Sequence, residues 1–449
     1  MTTEPAANAA SASFPAHLVQ ADRVHHSVYS DPAIFELEMT RLFGRAWLLL
    51  GHESQIPQAG DYLSTRMGRE PVIMARHADG SVQVLINRCT HRGALLVHED
   101  TGNVKNFVCP YHGWVFSTDG ALRNVPMPQG YGEQSRQTLD GLGLARVARS
   151  QSYRGFIFAS LAEDGPGLLE SLGPIVSSFD DLVDRAPDGE VEIAGGVFKH
   201  AYDGNWKLVL ENHLDGVHPN YVHASSVAAA RAAPDAATNP AQAERYAEIS
   251  LRQMRQNGAP EAVWESLGIW TTVHGHGYMG DYHSDARLVA ALEHPVFAQY
   301  KQSLEARVGE AEAKRILSVS RFNTVVYPNV SFMSQYRQLR IVHPLAVDRT
   351  VVYTYNIRLK GAPPQMFRDT VAFSNVVNGT ASWVLTDDLE VYERVQRGLT
   401  AAQPPWVYLG RGLTGEVDEP DGFRRGPSGT SEIYIRRQFQ AWAHYMGQV

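Results

Sequence analysis

Cysteine is scarce in this chain, whose 449 residues contain only two. So few cysteines exclude a disulfide-stapled secreted scaffold. No stretch is apolar enough to cross a bilayer, and the net charge of −8 offers no basic surface for nucleic acid or an anionic membrane. Residues 1–22 lack lysine and arginine. We interpret them as a loose N-terminal arm rather than a secretory signal, and expect a cytoplasmic protein.

Each of the two cysteines has a histidine at ligand spacing. Cys89 is followed by His91, and after seventeen further residues Cys109 is followed by His112. One thiolate and one imidazole from each loop suit a [2Fe–2S] centre in which one iron takes both sulfurs and the other takes both histidines, which is the Rieske pattern. A Cys2His2 zinc site is an alternative because zinc accepts the same donors, and a single disulfide is another.

The residues around these loops favour the cluster. Gly93 and Gly113 allow the backbone to turn after each loop, and Trp114 is placed to shield a cluster from water. Short strands surround both loops, with Asp79-Gly80 as a hairpin turn. The pattern therefore predicts an all-β Rieske domain over residues 46–162.

A second pair of histidines, His218 and His223, lies five residues apart. On an ideal helix this spacing separates the two side chains by about 140°. Pro219 is therefore predicted to break the helix between them. Two histidines on a broken helix, with one distant carboxylate, would make the facial triad of a non-haem Fe(II) oxygenase.

The carboxylate is predicted to come from Asp387 or Asp388, at the start of a later helix. Asp387 with Glu390 fits a capping box, which leaves Asp388 for iron, whereas in the alternative both aspartates only cap the helix. Asp215 lies three residues before His218 and is predicted to share its helical face. It could be a fourth ligand, a surface charge or an acceptor that orients His218, and we favour the last.

The fold class predicted from the whole chain is α+β. An all-β Rieske domain is followed, over residues 163–449, by a catalytic domain with a curved antiparallel sheet and covering helices, of the helix-grip type. Its strands are expected between Val191 and Leu359. Residues 1–45 are predicted to form an arm and a helix packed on the catalytic domain, with Asp31-Pro32 at the start of the helix.

Some polar residues are open to several interpretations. His274, His276 and His283 could form a third metal site, line a pocket or be ordinary strand and loop histidines. Arg337 and Arg340 could pair with a substrate carboxylate, or their strand could project them to solvent or to a subunit contact.

Taken together and in this order, these motifs resemble the large (α) subunit of the Rieske non-haem iron oxygenases, the aromatic-ring-hydroxylating dioxygenases. The resemblance also covers Asn205-Trp206-Lys207, Glu211-Asn212 and a C-terminal helix with Trp442. The chain departs from the family pattern at Val217, where a tyrosine is common, and at Pro219, which leaves the shape of the pocket open.

The resemblance implies a role for each motif residue. Cys89 and Cys109 would bind one cluster iron and His91 and His112 the other. The mononuclear Fe(II) would be bound by His218, His223 and Asp388. Asp215 would bridge, across a subunit boundary, from the cluster of one chain to the iron of its neighbour.

The resemblance also implies a terminal oxygenase that uses O2 to hydroxylate an aromatic substrate, in the favoured form by cis-dihydroxylation and with an aromatic carboxylate as one candidate. A Rieske monooxygenase or demethylase, and a Rieske electron-transfer protein, are alternatives. Electrons would come from NAD(P)H through a separate reductase, with or without a ferredoxin, since no GxGxxG-type nucleotide-binding unit, with a strand before the glycines and a helix after them, is evident. The assembly would be α3, or α3β3 with a small β subunit.

Overall fold

The computed structural model describes residues 16–132, 139, 141–232, 254–280, 295–380, 382 and 384–447. Residues 1–15 of the predicted N-terminal arm lie outside these ranges. The chain forms two units: Phe43–Leu168 is one, and the segments Met1–Leu42 and Leu169–Val449 make up the other. No described helix has the length and apolar character that a membrane crossing requires. The predicted α+β class is confirmed.

The unit Phe43–Leu168 contains three antiparallel sheets, of strand order β10-β11-β2, β5-β4-β3-β6 and β7-β8-β9. The predicted turn at Asp79-Gly80 is present between β4 and β5. Gly80 takes a φ of +87°, and Oδ1 of Asp79 accepts from the amide of Ser81 at 2.9 Å. Numbered along the chain after β1 (Arg23–His25) of the other unit, the strands are β2 (Leu48–His52), β3 (Asp61–Met67), β4 (Glu70–Arg76), β5 (Val82–Ile86), β6 (Thr101–Asn103), β7 (Asn106–Val108), β8 (Val115–Ser117), β9 (Leu122–Asn124), β10 (Arg149–Tyr153) and β11 (Phe156–Ser160).

The other unit is built on an antiparallel sheet of nine described strands in the order β12-β18-β17-β16-β15-β14-β13-β21-β20. Strand β17 is buried over most of its length, so both of its faces are covered. Separately, β1 pairs with β19. The strands are β12 (Val191–Tyr202), β13 (Gly268–Thr271), β14 (Gly277–Gly280), β15 (Arg321–Val326), β16 (Val330–Met333), β17 (Gln338–Ala346), β18 (Arg349–Leu359), β19 (Trp406–Tyr408), β20 (Val417–Asp418) and β21 (Arg424–Arg425).

Helices surround this sheet. The predicted start at Asp31-Pro32 is confirmed, because the side chain of Asp31 accepts from the amide of Ala33 at 2.8 Å and proline takes the first helical position. The described α-helices are α1 (Ser27–Ser30), α2 (Pro32–Leu37), α3 (Leu168–Leu172), α4 (Val176–Asp184), α5 (Trp206–Asn212), α6 (Pro219–Val222), α7 (Ala224–Ala232), α8 (Glu261–Glu265), α9 (Pro295–Val308), α10 (Glu310–Ser318), α11 (Pro364–Asn378), α12 (Leu385–Gly398) and α13 (Ile433–Gly447).

The fully buried carboxylate of Glu38 connects the N-terminal segment to α5 and α13. It accepts hydrogen bonds from the indole N–H of Trp206 in α5 at 2.8 Å and from that of Trp442 in α13 at 2.7 Å. It also forms an ion pair with Lys207, whose Nζ donates to the carbonyl of Val28 at 2.8 Å. The buried charge is therefore paired and hydrogen-bonded, as burial requires.

We expect Lys207→Met to lower the free energy of unfolding by about 3–5 kcal/mol, because it leaves the Glu38 carboxylate buried without a cation. Urea unfolding followed by tryptophan fluorescence measures the change. Arg349→Met is the control, since Arg349 pairs with Asp203 at the surface, where such pairs contribute little. If the two variants unfolded at the same urea concentration, the Glu38–Lys207 pair would have no special structural role.

Candidate functional site

The two cysteine–histidine loops share one backbone design. The amide of Cys89 donates to the carbonyl five residues later at 2.8 Å, and the amide of Gly93 donates back to the carbonyl of Cys89 at 3.0 Å. Cys109 bonds to Trp114, and Gly113 to Cys109, in the same way and at the same two lengths. The φ angles of Gly93 and Gly113, +76° and +68°, complete each turn.

The four predicted cluster residues come together at these loops. Cys89 and Cys109 are free thiols and only 1% and 2% exposed, and burial together with the second thiol raises the pKa of Cys89. The ring centroids of His91 and His112 are 4.6 Å apart, and Nδ1 of each is buried without a hydrogen-bond partner among the described residues. Trp114 stacks on His91 at 4.9 Å. Unpartnered imidazole nitrogens beside two crowded thiols fit the ligand set of a Rieske cluster.

The three predicted iron ligands also meet. Oδ1 of Asp388 lies 3.8 Å from Nε2 of His218 and 3.5 Å from Nε2 of His223, and one ligand atom from each of the three residues lies within 4.8 Å of the others. His218 and His223 flank the single turn of α6, while Asp388 is on the first turn of α12. Within the described ranges these three side chains form a group that could hold a metal ion.

A further carboxylate lies behind each imidazole. Oδ2 of Asp215 is 3.7 Å from Nδ1 of His218, and Oδ2 of Asp387 is 3.3 Å from Nδ1 of His223. A carboxylate in this position orients the ring and leaves Nε2 as the ligand atom. The contact of Asp387 with His223 is the site feature that the sequence reasoning missed, since the i, i+5 spacing of the histidines gives no sign of it.

The Asp388 carboxylate is only 8% exposed. Burial raises its pKa, and the two histidines and a 3.3 Å hydrogen bond from Nδ2 of Asn212 offset only part of that effect. A cation between this carboxylate and the two Nε2 atoms would remove the cost of its burial. Two imidazoles and one carboxylate are the donor set of a non-haem Fe(II) centre.

Two local predictions near the histidines are wrong. Asp215 does not share a helical face with His218, because α5 ends at Asn212 and Asp215 lies in the following turn. Its Oδ1 accepts from the amides of Val217 at 2.6 Å and His218 at 3.3 Å, so the side chain stabilises the turn in place of helix. Pro219 does not break a helix either. It occupies the first position of α6, where its missing N–H costs nothing.

The predicted capping box of Asp387 and Glu390 is also wrong. Helix α12 begins two residues before Asp387, and Oγ of Ser382 accepts from the amide of Leu385 at 3.0 Å. Glu390 pairs with Arg394, one turn further along. Because another residue bonds the first amides, Asp387 is available to contact His223.

The predicted extra histidine group is not a metal site in the described part of the chain. Nε2 of His276 is 2.9 Å from the carbonyl of Ser171, and its Nδ1 accepts from the amide of Tyr327 at 2.9 Å. Burial lowers the pKa of His276 to about 4, so the neutral ring is an ordinary core histidine. The ring of His274 is 6.1 Å away, and His283 lies outside the described residues.

Arg337, just before β17, and Arg340, within β17, have different surroundings. Nε of Arg337 donates to Oγ1 of Thr370 at 2.6 Å. Arg340 is only 8% exposed, so the strand does not project it to solvent.

Comparison with known proteins agrees with this geometry. Residues 187–448 match the family described as "Ring hydroxylating alpha subunit (catalytic domain)", and residues 46–140 match the Rieske [2Fe-2S] domain. Toluate 1,2-dioxygenase subunit alpha from Pseudomonas putida is 36% identical over 403 residues, which cover 89% of this chain and 83% of that protein. The 2-halobenzoate 1,2-dioxygenase large subunit from Burkholderia cepacia is 33% identical over 401 residues, with 89% and 82% covered.

A solved structure agrees as well. Naphthalene 1,2-dioxygenase with indole bound in the active site superimposes with a TM-score of 0.79 at 28% identity, covering 96% of this chain and 94% of that one. The fold and the two sites thus define a Rieske-type ring-hydroxylating oxygenase, an oxidoreductase. The chain belongs to the family of α subunits of the aromatic-ring-hydroxylating dioxygenases, as its motifs predicted, and a protein that only transfers electrons is excluded by its catalytic domain.

The geometry predicts different metal contents for variants of the two adjacent aspartates. Asp388→Ala should lower the iron content while leaving acid-labile sulfide unchanged, because it removes a ligand of the mononuclear site only. Asp387→Asn should keep iron with an affinity about 10- to 100-fold lower, since it weakens only the support of His223. Iron and sulfide analysis after dialysis against a chelator distinguishes the two. Equal iron loss in both variants would contradict the prediction that Asp388 binds the metal and Asp387 only supports His223.

Proposed function

We propose that this chain is a terminal oxygenase subunit that adds both atoms of O2 to the ring of an aromatic carboxylate, giving a cis-dihydrodiol. The observation that carries the proposal is the convergence of His218, His223 and Asp388 in a catalytic domain of this family. The substrate class is supported by relatives named for toluate and 2-halobenzoate, and by the 31% identical anthranilate 1,2-dioxygenase large subunit of Acinetobacter baylyi.

In this proposal Fe(II) is held by Nε2 of His218, Nε2 of His223 and the carboxylate of Asp388. Bound there, iron supplies the redox chemistry of O2 that amino-acid side chains lack. The residues of the chain position it. Asp387 and Asp215 hold the two rings from behind, and an iron bound by these three ligands would have positions left for O2 and substrate.

A [2Fe–2S] cluster would be held by Cys89 and Cys109 on one iron and by His91 and His112 on the other, and it would supply electrons one at a time. Neutral imidazoles in place of two thiolates raise the potential of such a cluster above that of a four-cysteine cluster. The matched ranges 46–140 and 187–448 support a division into an arm and helix (1–45), a cluster domain (46–162) and a catalytic domain (163–449).

Asp215 is proposed to connect the two sites. Its Oδ2 faces Nδ1 of His218, and its Oδ1 is bonded to backbone amides, so the carboxylate is held in place. Burial alone would raise the pKa of Asp215, but His218 and these amides outweigh it and lower the pKa, which keeps the side chain an acceptor. In an assembly of three α subunits this acceptor would meet a cluster histidine of the neighbouring chain.

The proposed partners follow from this arrangement. The chain would assemble as α3, or as α3β3 with a small subunit, and would receive electrons from NAD(P)H through a separate reductase, with or without a ferredoxin. The relatives support this, because their names are those of α or large subunits and, for naphthalene dioxygenase, of the large oxygenase component of a system. A cytoplasmic location remains a prediction from the two reduced cysteines that the cluster needs.

The function is tested by turnover. The purified, iron-loaded protein is supplied with NADH and a surrogate reductase, and benzoate is offered beside toluene and naphthalene. We expect benzoate to be consumed with O2 at a one-to-one ratio and a cis-diol acid to be identified by mass spectrometry. A product that carries one oxygen atom from O2 would assign the chain as a monooxygenase, and O2 uptake that no aromatic compound stimulates would refute the proposal.

We expect Asp215→Asn to retain iron and sulfide and to lose most of its coupled benzoate oxidation, because an amide cannot hold His218 and a neighbouring imidazole as a charged acceptor does. Stopped-flow absorbance of the pre-reduced cluster gives a readout apart from turnover, since reoxidation by O2 and substrate should slow. Asp203→Asn, at the surface, is the control. Unchanged reoxidation in Asp215→Asn would remove the bridging role.

A further inference from the structure

One face of the large sheet carries a line of buried polar side chains. Residues paired directly across neighbouring strands share a face, and so do alternate residues of one strand. Arg340 of β17 pairs with Ser331 of β16 and with Thr354 of β18. Gln338 lies two residues before Arg340 and pairs with Asn356. These five side chains therefore occupy the same face.

This face packs towards the helix that carries Asp388. On β12 the same face includes Tyr202, whose partner on β18 is Thr350. The ring of Tyr202 lies 4.9 Å from that of Tyr392, one turn after Asp388 in α12. The polar side chains around Arg340 thus belong to the sheet surface that covers the candidate iron site.

Arg340 is a buried cation that has no counterion among the described residues. Its Nη2 donates to Oε1 of Gln338 at 3.0 Å and lies 3.5 Å from Sδ of Met333. Among the residues that the structure describes, its Nη1 is buried without a hydrogen-bond partner, and its guanidinium forms no ion pair. Burial lowers the pKa of Arg340 to about 10, and the negative charge of Asp388 offsets only part of this.

The neighbours of Arg340 also have unused hydrogen-bonding atoms. Nε2 of Gln338, Oγ of Ser331 and Oδ1 of Asn356 are all buried without a partner in the described ranges. Buried polar atoms are nearly always satisfied in folded proteins. Two of these groups, the amide of Gln338 and the hydroxyl of Ser331, can donate to an anion beside Arg340.

The free side of a guanidinium matches a carboxylate, which can accept two parallel hydrogen bonds. We propose that Arg340, assisted by Gln338 and Ser331, binds the carboxylate of the aromatic substrate and so determines both the preference for acids and the ring edge that faces the iron. This inference rests on the proposed function, and it identifies the residue that would select an aromatic carboxylate over an aromatic hydrocarbon.

The inference is tested by binding, independently of turnover. Isothermal titration calorimetry under anaerobic conditions compares benzoate with benzamide, a neutral analogue of similar shape, on the iron-loaded protein. Removing one partner of a buried charged pair by Arg340→Met should weaken benzoate binding about 100-fold and change benzamide binding little. Arg337→Met is the matched control, because Arg337 lies beside the same strand and its guanidinium already bonds to Thr370. Its benzoate affinity should match that of the wild type.

Two further measurements separate recognition from a structural role. Arg340→Met should not lower the unfolding temperature, since it removes an unpaired buried charge. Arg340→Lys keeps the charge without the planar fork, so it should retain a preference for benzoate over benzamide even if the methionine variant failed to fold.

The inference would be overturned if Arg340→Met lost affinity for benzoate and for benzamide to the same extent, or if its affinity for benzoate were unchanged. The loss of all preference for benzoate in a folded Arg340→Lys would overturn it too. A wild type that hydroxylates toluene but does not bind benzoate would also overturn it while leaving the oxygenase assignment intact. A wild type that binds benzoate through Arg340 but oxidises no aromatic compound would refute the proposed function and leave the binding site standing.

Discussion

The burial of the Asp388 carboxylate between two imidazoles is the constraint on which the catalytic unit depends. A buried anion is stable only when cations or hydrogen bonds compensate it, and Asn212 supplies one long bond of 3.3 Å. The histidines are in turn backed by Asp215 and Asp387, so three carboxylates surround two imidazoles. The turn after α5 and the first turn of α12 are far apart in the chain and bring these carboxylates together. Because the carboxylates outnumber the imidazoles, a cation between the two segments would compensate their charge.

The two sites differ in how far the sequence could predict them. Each cluster loop is a local structure, because hydrogen bonds close its turn within five residues. The turn needs a residue with positive φ, and the glycine in the sequence is a direct sign of that position. The histidines proposed as iron ligands were also identifiable from their spacing and order, and the structure brings them together. Of their two supports, Asp215 was predicted as the acceptor behind His218, although it lies in a turn and not on a helix. Asp387 was predicted only as a helix cap, because its contact with His223 joins residues 164 positions apart, which only the tertiary structure brings together.

The strands of the large sheet show a related limit. Seven of its nine described strands, β12 to β18, lie between Val191 and Leu359, where the sequence predicted strands, and β17 among them begins at Gln338. Alternation shows that Gln338 and Arg340 share a face but does not show which neighbour that face meets. Gln338, Leu339, Arg340 and Ile341 alternate between polar and apolar, as a strand with one solvent-facing side would, yet all four are buried, so the pattern does not distinguish a solvent-facing arginine from an interior one. The strand register and the contact of Tyr202 with Tyr392 supply that information.

Two buried cations of the catalytic unit, Lys207 and Arg340, differ in whether neighbouring described residues compensate their charge. Lys207 is enclosed by an anion, a carbonyl and two indoles, so its charge is neutralised within the fold and connects α5 to the N-terminal segment and α13. Arg340 is buried to a similar degree, yet one of its amino groups has no partner among the residues that the structure describes. A charge paired inside the protein stabilises the fold, whereas an unpaired charge costs stability and is retained where a ligand supplies the missing partner. The position of the unpaired cation, on the sheet face that covers Asp388, therefore indicates a ligand whose anionic group binds beside the iron site.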